Sequence, residues 1–208
     1  MNFPSKIIFI SYSLIKFIFD FRHLSSSFEK QVIDFRFLLL LENFIITSGG
    51  LVLLFIYFSE GVIDNVSFIN SENDAIDMSG GKVKMKNIYI TGAGDKAISS
   101  GEKNILIGND IVLTKNAIGI ASKDLSNISL TRVVLENNNL AISAYQKKKV
   151  YGPSKIYLYE HKLTENNKDF LIEEESKLFF NDNEVKIKKY KNVELLMYGN
   201  VYGAKTIK

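Results

Sequence analysis

The chain has 208 residues, 26 of them basic and 23 acidic, for a net charge of +3. That length suits one domain, and so small a charge gives no argument for a nucleic-acid partner. With no Cys there is neither a disulfide framework nor a thiolate metal site.

The chain opens on a strongly apolar stretch: residues 1–58 hold 11 of the 15 phenylalanines. Lys6 followed by the run IIFISYSLIKFIF resembles a signal peptide or short anchor, although Lys16 interrupts it and no small-residue cleavage site is clear. A hydrophobic cap or helix is the other reading of 1–22. The second run, LLLLENFIITSGGLVLLFIYF at 38–58, is about long enough to span a bilayer, but Glu42 lies inside it and Gly49-Gly50 splits it. Membrane association is therefore open through 1–22 or 37–58. Against the membrane reading of 37–58, Asn43, Ile46 and Leu54 fall 22 residues before Asn65, Phe68 and Ile76, which supports a coil of the fold that follows.

From there the sequence is periodic. Ile76, Ile98, Ile120 and Ile142 stand 22 residues apart, beside a small-residue column of Ala75, Ala97, Gly119 and Ala141. Phe68, Ile90, Val112 and Val134 keep the same step, as do Asn65, Asn87, Asn109 and then Thr131. A period of this length marks a solenoid whose coils bury their apolar sides only against their neighbours. Within each repeat, Val83, Met85, Ile88 and Ile90, or Ile105, Ile107, Ile111 and Leu113, show strand alternation with Asn, Gly and Asp at the breaks. The expected fold is all-β: a right-handed, single-stranded parallel β-helix of 22-residue coils, with the isoleucines in the bore and Asn65, Asn87 and Asn109 as an asparagine ladder at a corner. The boundaries read as a hydrophobic N-terminal segment at 1–36 (cap, signal-like or anchor), the β-helix at 37–180 and a Lys-rich terminal coil or cap at 181–208.

The regularity breaks after Ile142. Residues 145–153 (YQKKKVYGP) form a basic insertion of roughly eight residues at a corner before strand signals resume at Lys155, and solenoid insertions gather on one face, often the binding face. The end alternates Lys with apolar residues (EVKIKKYKNVELLMY), which suits a terminal strand whose edge must not pair with another molecule. His23 and His161 are far apart and read as surface or turn residues.

The segment from Gly61 to Tyr159, with DAIDMSGG, GDKAISSGE, IGIASKDLS and AISAYQKKKVYG, resembles the β-helix region of CotH-related envelope proteins and, more distantly, the pectate-lyase-like superfamily. The resemblance implies an envelope or extracellular location and a polysaccharide or another envelope protein as partner. It also implies an Asp- and Ser-rich corner before Gly61, where this chain reads LVLLFIYFS.

The candidate site is the polar strip after each isoleucine. In register, Ser79, Gly101, Lys123 and Tyr145 make one column, and Gly80, Glu102, Asp124 and Gln146 the next, so that Glu102 and Asp124 lie about one rung apart. Two carboxylates so placed are candidates for acid–base catalysis by a polysaccharide lyase or glycosidase, or for binding Ca²⁺; no other cofactor is expected. Asp77, Ser99, Lys96, Lys123, Tyr145, Gln146, Lys147 and Lys148 are the candidate binding residues, the tyrosine stacking on a sugar ring and the lysines attracting acidic groups. Asp74 and Asp95 add charge at the preceding corner. The competing reading is that Asp, Ser, Gly and Lys are what β-helix corners need.

Overall fold

The computed structural model describes residues 38–42, 45–47, 54–199 and 201–202, and expectations for 1–22 lie outside them. It is a parallel β-solenoid of about six turns with about 22 residues per coil. The strands are β1 (Leu38–Glu42), β2 (Ile45–Thr47), β3 (Leu54–Ile69), β4 (Ile76–Thr91), β5 (Lys96–Gly101), β6 (Ile105–Thr114), β7 (Ile118–Lys123) and β8 (Asn127–Glu136), then β9 (Leu140–Tyr145), β10 (Lys155–Tyr159), β11 (Lys162–Thr164), β12 (Lys168–Glu173), β13 (Lys177–Phe180), β14 (Asn183–Glu184) and β15 (Lys189–Tyr190). One short helix, α1 (Val193–Met197), follows.

The strands stack into three faces. The first joins β1, the middles of β3 and β4, the starts of β6 and β8, then β10 and β13. The second joins β2, the ends of β3, β4, β6 and β8, and β11. The third joins the starts of β3 and β4 with β5, β7, β9, β12 and β15. Ile76, Ile98, Ile120 and Ile142 pair in one column on this third face and are fully buried. Each such side chain contributes about 1.5–3 kcal/mol through its burial.

The described parts of 37–58 belong to the solenoid. Leu38 pairs with Glu60, Ile46 with Phe68 and Leu54 with Ile76, all in parallel. Of the run that departs from an Asp- and Ser-rich corner, Leu54–Tyr57 is paired strand. Among the described residues no helix is long and apolar enough to cross a membrane.

Two predicted columns are corrected by a one-residue slip. Ser79 pairs with Gly101, but Lys82 pairs with Ile105, a step of 23, because the corner Gly80-Gly81 becomes Glu102-Lys103-Asn104 in the next coil. A slip of one moves every following side chain to the opposite face. Ile105 and Ile107 consequently point out, 44% and 45% exposed, while Leu106 fills the bore. The apolar column reads Phe68, Ile90, Leu113 and Leu135, not Val112 and Val134. The left-handed corner column likewise reads Asn65, Asn87, Asp110 and Arg132, each with φ between 52° and 57°. Arg132 bridges Asp110 with both Nε (2.6 Å) and an Nη (3.0 Å).

The buried asparagine ladder stands at another corner. Asn138 Oδ1 accepts from the backbone N–H and the side-chain amide of Asn116, both at 3.0 Å, and Asn166 Oδ1 does the same for Asn138 at 3.0 and 3.1 Å. Asn116 and Asn138 are buried, so these amides satisfy corner groups that no water reaches.

β14 turns back antiparallel on β13, and β15 continues the third face beside β12. After that, α1 with Tyr198 and Tyr202 packs on the outside of the third face. Val193 and Met197 are fully buried against Ile118 and Ala121 of β7, Leu140 and Tyr145 of β9 and Leu171 of β12.

Candidate functional site

The polar residues that follow each isoleucine lie along the third face. Parallel pairing aligns Asp77 with Ser99, Ala121 and Ser143, and aligns Lys123 with Tyr145. The C-terminal strap covers much of this side, so the strip divides into a buried part and an open corner.

Tyr145 belongs to the buried part. It is fully buried, and its hydroxyl donates to the Tyr198 hydroxyl at 3.2 Å; burial, then the neighbouring Tyr198, pushes its phenol well above the ordinary value. No sugar ring reaches its face, which corrects the expectation that it stacks on ligand. Ser99 is fully buried too and accepts from Lys123 Nζ at 2.8 Å, while Asp77 Oδ1 lies 3.7 Å from the same ammonium. Such a pairing is what a nearly buried lysine needs.

Lys96 is 2% exposed. Its Nζ lies 2.6 Å from Asp95 Oδ2 and 3.4 Å from Asp74 Oδ1, and its backbone N–H donates to Asp74 Oδ1 at 3.0 Å. The Tyr198 ring closes the pocket, 5.3 Å from Lys96 Nζ and 4.7 Å from Lys147 Nζ. Burial pushes the Asp74 carboxyl up to about 6 against the pull of Lys96. Burial opposes the Lys96 charge, but Asp74 and Asp95 outweigh it and leave the ammonium above its ordinary value. Asp95 Oδ1 is buried with no hydrogen-bond partner.

Glu102 and Asp124 sit at the open corner, both with positive φ (49° and 54°). Glu102 Oε1 accepts from Lys148 Nζ at 2.5 Å, and its Oε2 accepts from the Ser79 hydroxyl. Burial favours the neutral acid here, but the bonds from Lys148 and Ser79 prevail and hold Glu102 below the ordinary range. Asp124 is fully buried, and its Oδ1 accepts the backbone N–H groups of Lys147 (2.8 Å) and Lys148 (2.6 Å). For Asp124 burial wins over those two amides and the carboxyl is raised. Among the described residues no group of three or more His, Cys, Asp or Glu side chains is gathered to hold a metal ion.

The insertion is thereby fixed at its root. Lys155 pairs with Asn127, a step of 28, which is 6 longer than the 22 of the regular coils. Gln146 donates its backbone N–H to Glu173 and its side-chain amide to Glu175, at 2.7 and 3.3 Å. Lys147, Lys148, Lys149 and Val150 are exposed, and Lys103 Nζ lies 5.7 Å from the Tyr151 ring centre. His161 rests against Phe180, ring centres 3.8 Å apart, with burial lowering its basicity.

Sequence reasoning missed Tyr198 and the strap. The signal was the apolar outward set of Ile118, Leu140 and Leu171, which a solvent-facing strand side does not carry. Comparison with known protein families, curated proteins and solved structures finds no match to this chain. The class that fold and site define is a parallel β-solenoid with one face strapped by its own C-terminal segment and a basic loop at one corner.

Proposed function

We propose that the protein is a non-catalytic β-solenoid that binds an extended acidic polysaccharide at its basic corner. The observation that carries this reading is the insertion after β9. It interrupts an otherwise regular coil, it presents Lys147, Lys148 and Lys149 to solvent, and the buried Asp124 carboxylate pins its backbone. A pre-fixed row of cations loses little entropy on meeting a polyanion, and its field draws the ligand in. Lys103 and Tyr151 beside the loop extend the same surface. The resemblance to CotH-related and pectate-lyase-like β-helices points to the same ligand class and to an envelope or extracellular location.

One observation favours the alternative, a lyase or glycosidase working through Glu102 and Asp124. The two neighbouring carboxyls are pushed in opposite directions, as an acid–base pair requires. Against it, Asp124 is buried and holds the loop, while Ser79 and Lys148 take both Glu102 oxygens. Affinity electrophoresis in polygalacturonate and in neutral dextran decides. Retardation only in the acidic gel, weakened by salt and by Lys147→Ala with Lys149→Ala, is expected. Depolymerisation of the polyuronate that disappears in Glu102→Gln establishes the enzyme instead, and retardation in neither gel leaves a protein partner as the occupant.

A further inference from the structure

Lys96, between Asp74 and Asp95 and beneath the Tyr198 ring, belongs to a group of buried charges that the proposed function does not use. We propose that Lys96 and Asp74 form an intramolecular amide, a covalent cross-link between consecutive coils, with Asp95 as the proton acceptor.

Position comes first. Asp74 and Lys96 are 22 residues apart, one coil, and Asp74 Oδ1 already accepts the Lys96 backbone N–H at 3.0 Å, which holds the carboxyl against the neighbouring coil. Lys96 Nζ lies 3.4 Å from that same oxygen, in ion-pair contact with the carboxyl whose Cγ it attacks, so the two groups are held together before reaction. Asp95 Oδ2, 2.6 Å from Nζ, is the base within reach, and its other oxygen has no partner to compete for the charge.

The balance is simple. The Lys96 ammonium gives a proton to Asp95, and the free amine attacks Cγ of the Asp74 carboxylic acid. A C–N bond forms, Asp95 gives its proton to the Asp74 hydroxyl so that the C–O bond breaks and water leaves, and the second N–H proton of the former amine passes to Asp95, which ends as the neutral acid. No oxidant, activating group or second protein is needed. Asp74 is raised to about 6, so its reactive acid form is populated near neutrality. Two further effects drive the reaction forward. Fixed geometry supplies an effective concentration on the order of 10⁵ M or more, which offsets the mass action of water. The product also replaces a buried ion pair, with its desolvation cost, by a neutral amide that still accepts the Lys96 N–H.

The test is peptide mass spectrometry of the purified full chain, digested after Glu and after Lys or Arg. An uncrosslinked chain gives residues 73–82 and 87–96 as separate linear peptides. The expected product is one branched peptide joining 73–82 to 87–102, uncut after Lys96 and one water lighter than the sum of its parts, in most of the protein. Lys96→Arg, which keeps the charge, and Asp95→Asn, which keeps the shape, are both expected to give linear peptides only. Linear peptides from the wild-type chain overturn the proposal whatever the variants do. So does loss of a water without the branch, which is dehydration of an aspartate elsewhere.

Discussion

Replacing Asn138 with Leu tests whether the buried amide ladder, rather than the isoleucine bore alone, holds successive coils together. The side chain is 1% exposed, and leucine nearly conserves its shape, so the change isolates hydrogen bonding from packing. It removes the acceptor of the Asn116 backbone N–H (3.0 Å) and the amide donor of the Leu113 carbonyl (3.0 Å). Asn116 Nδ2 keeps the Ile90 carbonyl at 3.4 Å, and Asn166 Oδ1 keeps the Asn138 backbone N–H, so those atoms are not stranded. Two buried backbone groups left without these partners cost about 1–3 kcal/mol each, or about 2–6 kcal/mol together. Urea unfolding followed by far-UV circular dichroism reads the total. Hydrogen exchange localises it, since opening is expected to concentrate at the Asn116 and Asn138 corners while the coils before Ile76 stay protected. Asn127→Ala, at an exposed position, serves as control with an expected change within about 0.5 kcal/mol. If Asn138→Leu unfolds at the wild-type urea concentration with unchanged exchange, the ladder contributes nothing and the reasoning fails.

Ile98→Asp places a carboxylate in the bore at a fully buried position, costs several kcal/mol and is expected to yield no folded protein; a soluble variant with native circular dichroism would show that the column is misplaced. Gly119→Ala brings a Cβ to 2.6 Å from Leu135 Cδ2 and 2.7 Å from the Ala141 carbonyl oxygen, and because a ladder carbonyl cannot yield, a loss of about 1–3 kcal/mol is expected in thermal melts. Asp124→Asn keeps the Oδ1 acceptor and removes the charge. Since the folded Asp124 carboxyl is raised, the native state holds its proton more tightly than the unfolded chain, and wild-type stability from this group falls as pH rises through the raised value. The Asn variant is therefore expected to gain on wild type as pH rises above the ordinary aspartate value of about 3.9, and a melting-temperature difference that does not change with pH would refute the assignment. Asp124→Ala is expected to speed amide exchange at Lys147 and Lys148.

The coil period was legible because a bore admits few residue types: four isoleucines at one spacing leave little freedom, and they pair as expected. The slip was not. Glu102-Lys103-Asn104 replaces Gly80-Gly81 with one more residue, and a corner changes its length with no change in local polarity, so a strict 22-residue count carried Val112, Val134 and Asn109 into the wrong columns. In the site, the neighbourhood of Lys123 with Ser99 and Asp77 was readable from ladder register. The burial of Tyr145 and Lys96 was not, because it depends on Tyr198, which arrives from 53 residues beyond Tyr145 and has no place in the repeat. Asp124 was read as chemistry from its residue type, whereas its two amide bonds depend on the path of the inserted loop.

The strap acts as a ruler. It leaves the third face at β15, beside β12, and reaches back until Tyr198 meets Lys96 at the start of β5, so its length is matched to the number of coils between. One extra coil in that interval would carry Lys96 about 4.8 Å out of reach. Upstream of Asp74 no such measure applies, and the duplication or loss of a whole coil there leaves the contacts of the strap, and those of Lys96 with Asp74 and Asp95, in place. Natural length variation in such a chain is therefore expected to accumulate in whole repeats before residue 74, with the part from β4 onward held at constant coil number.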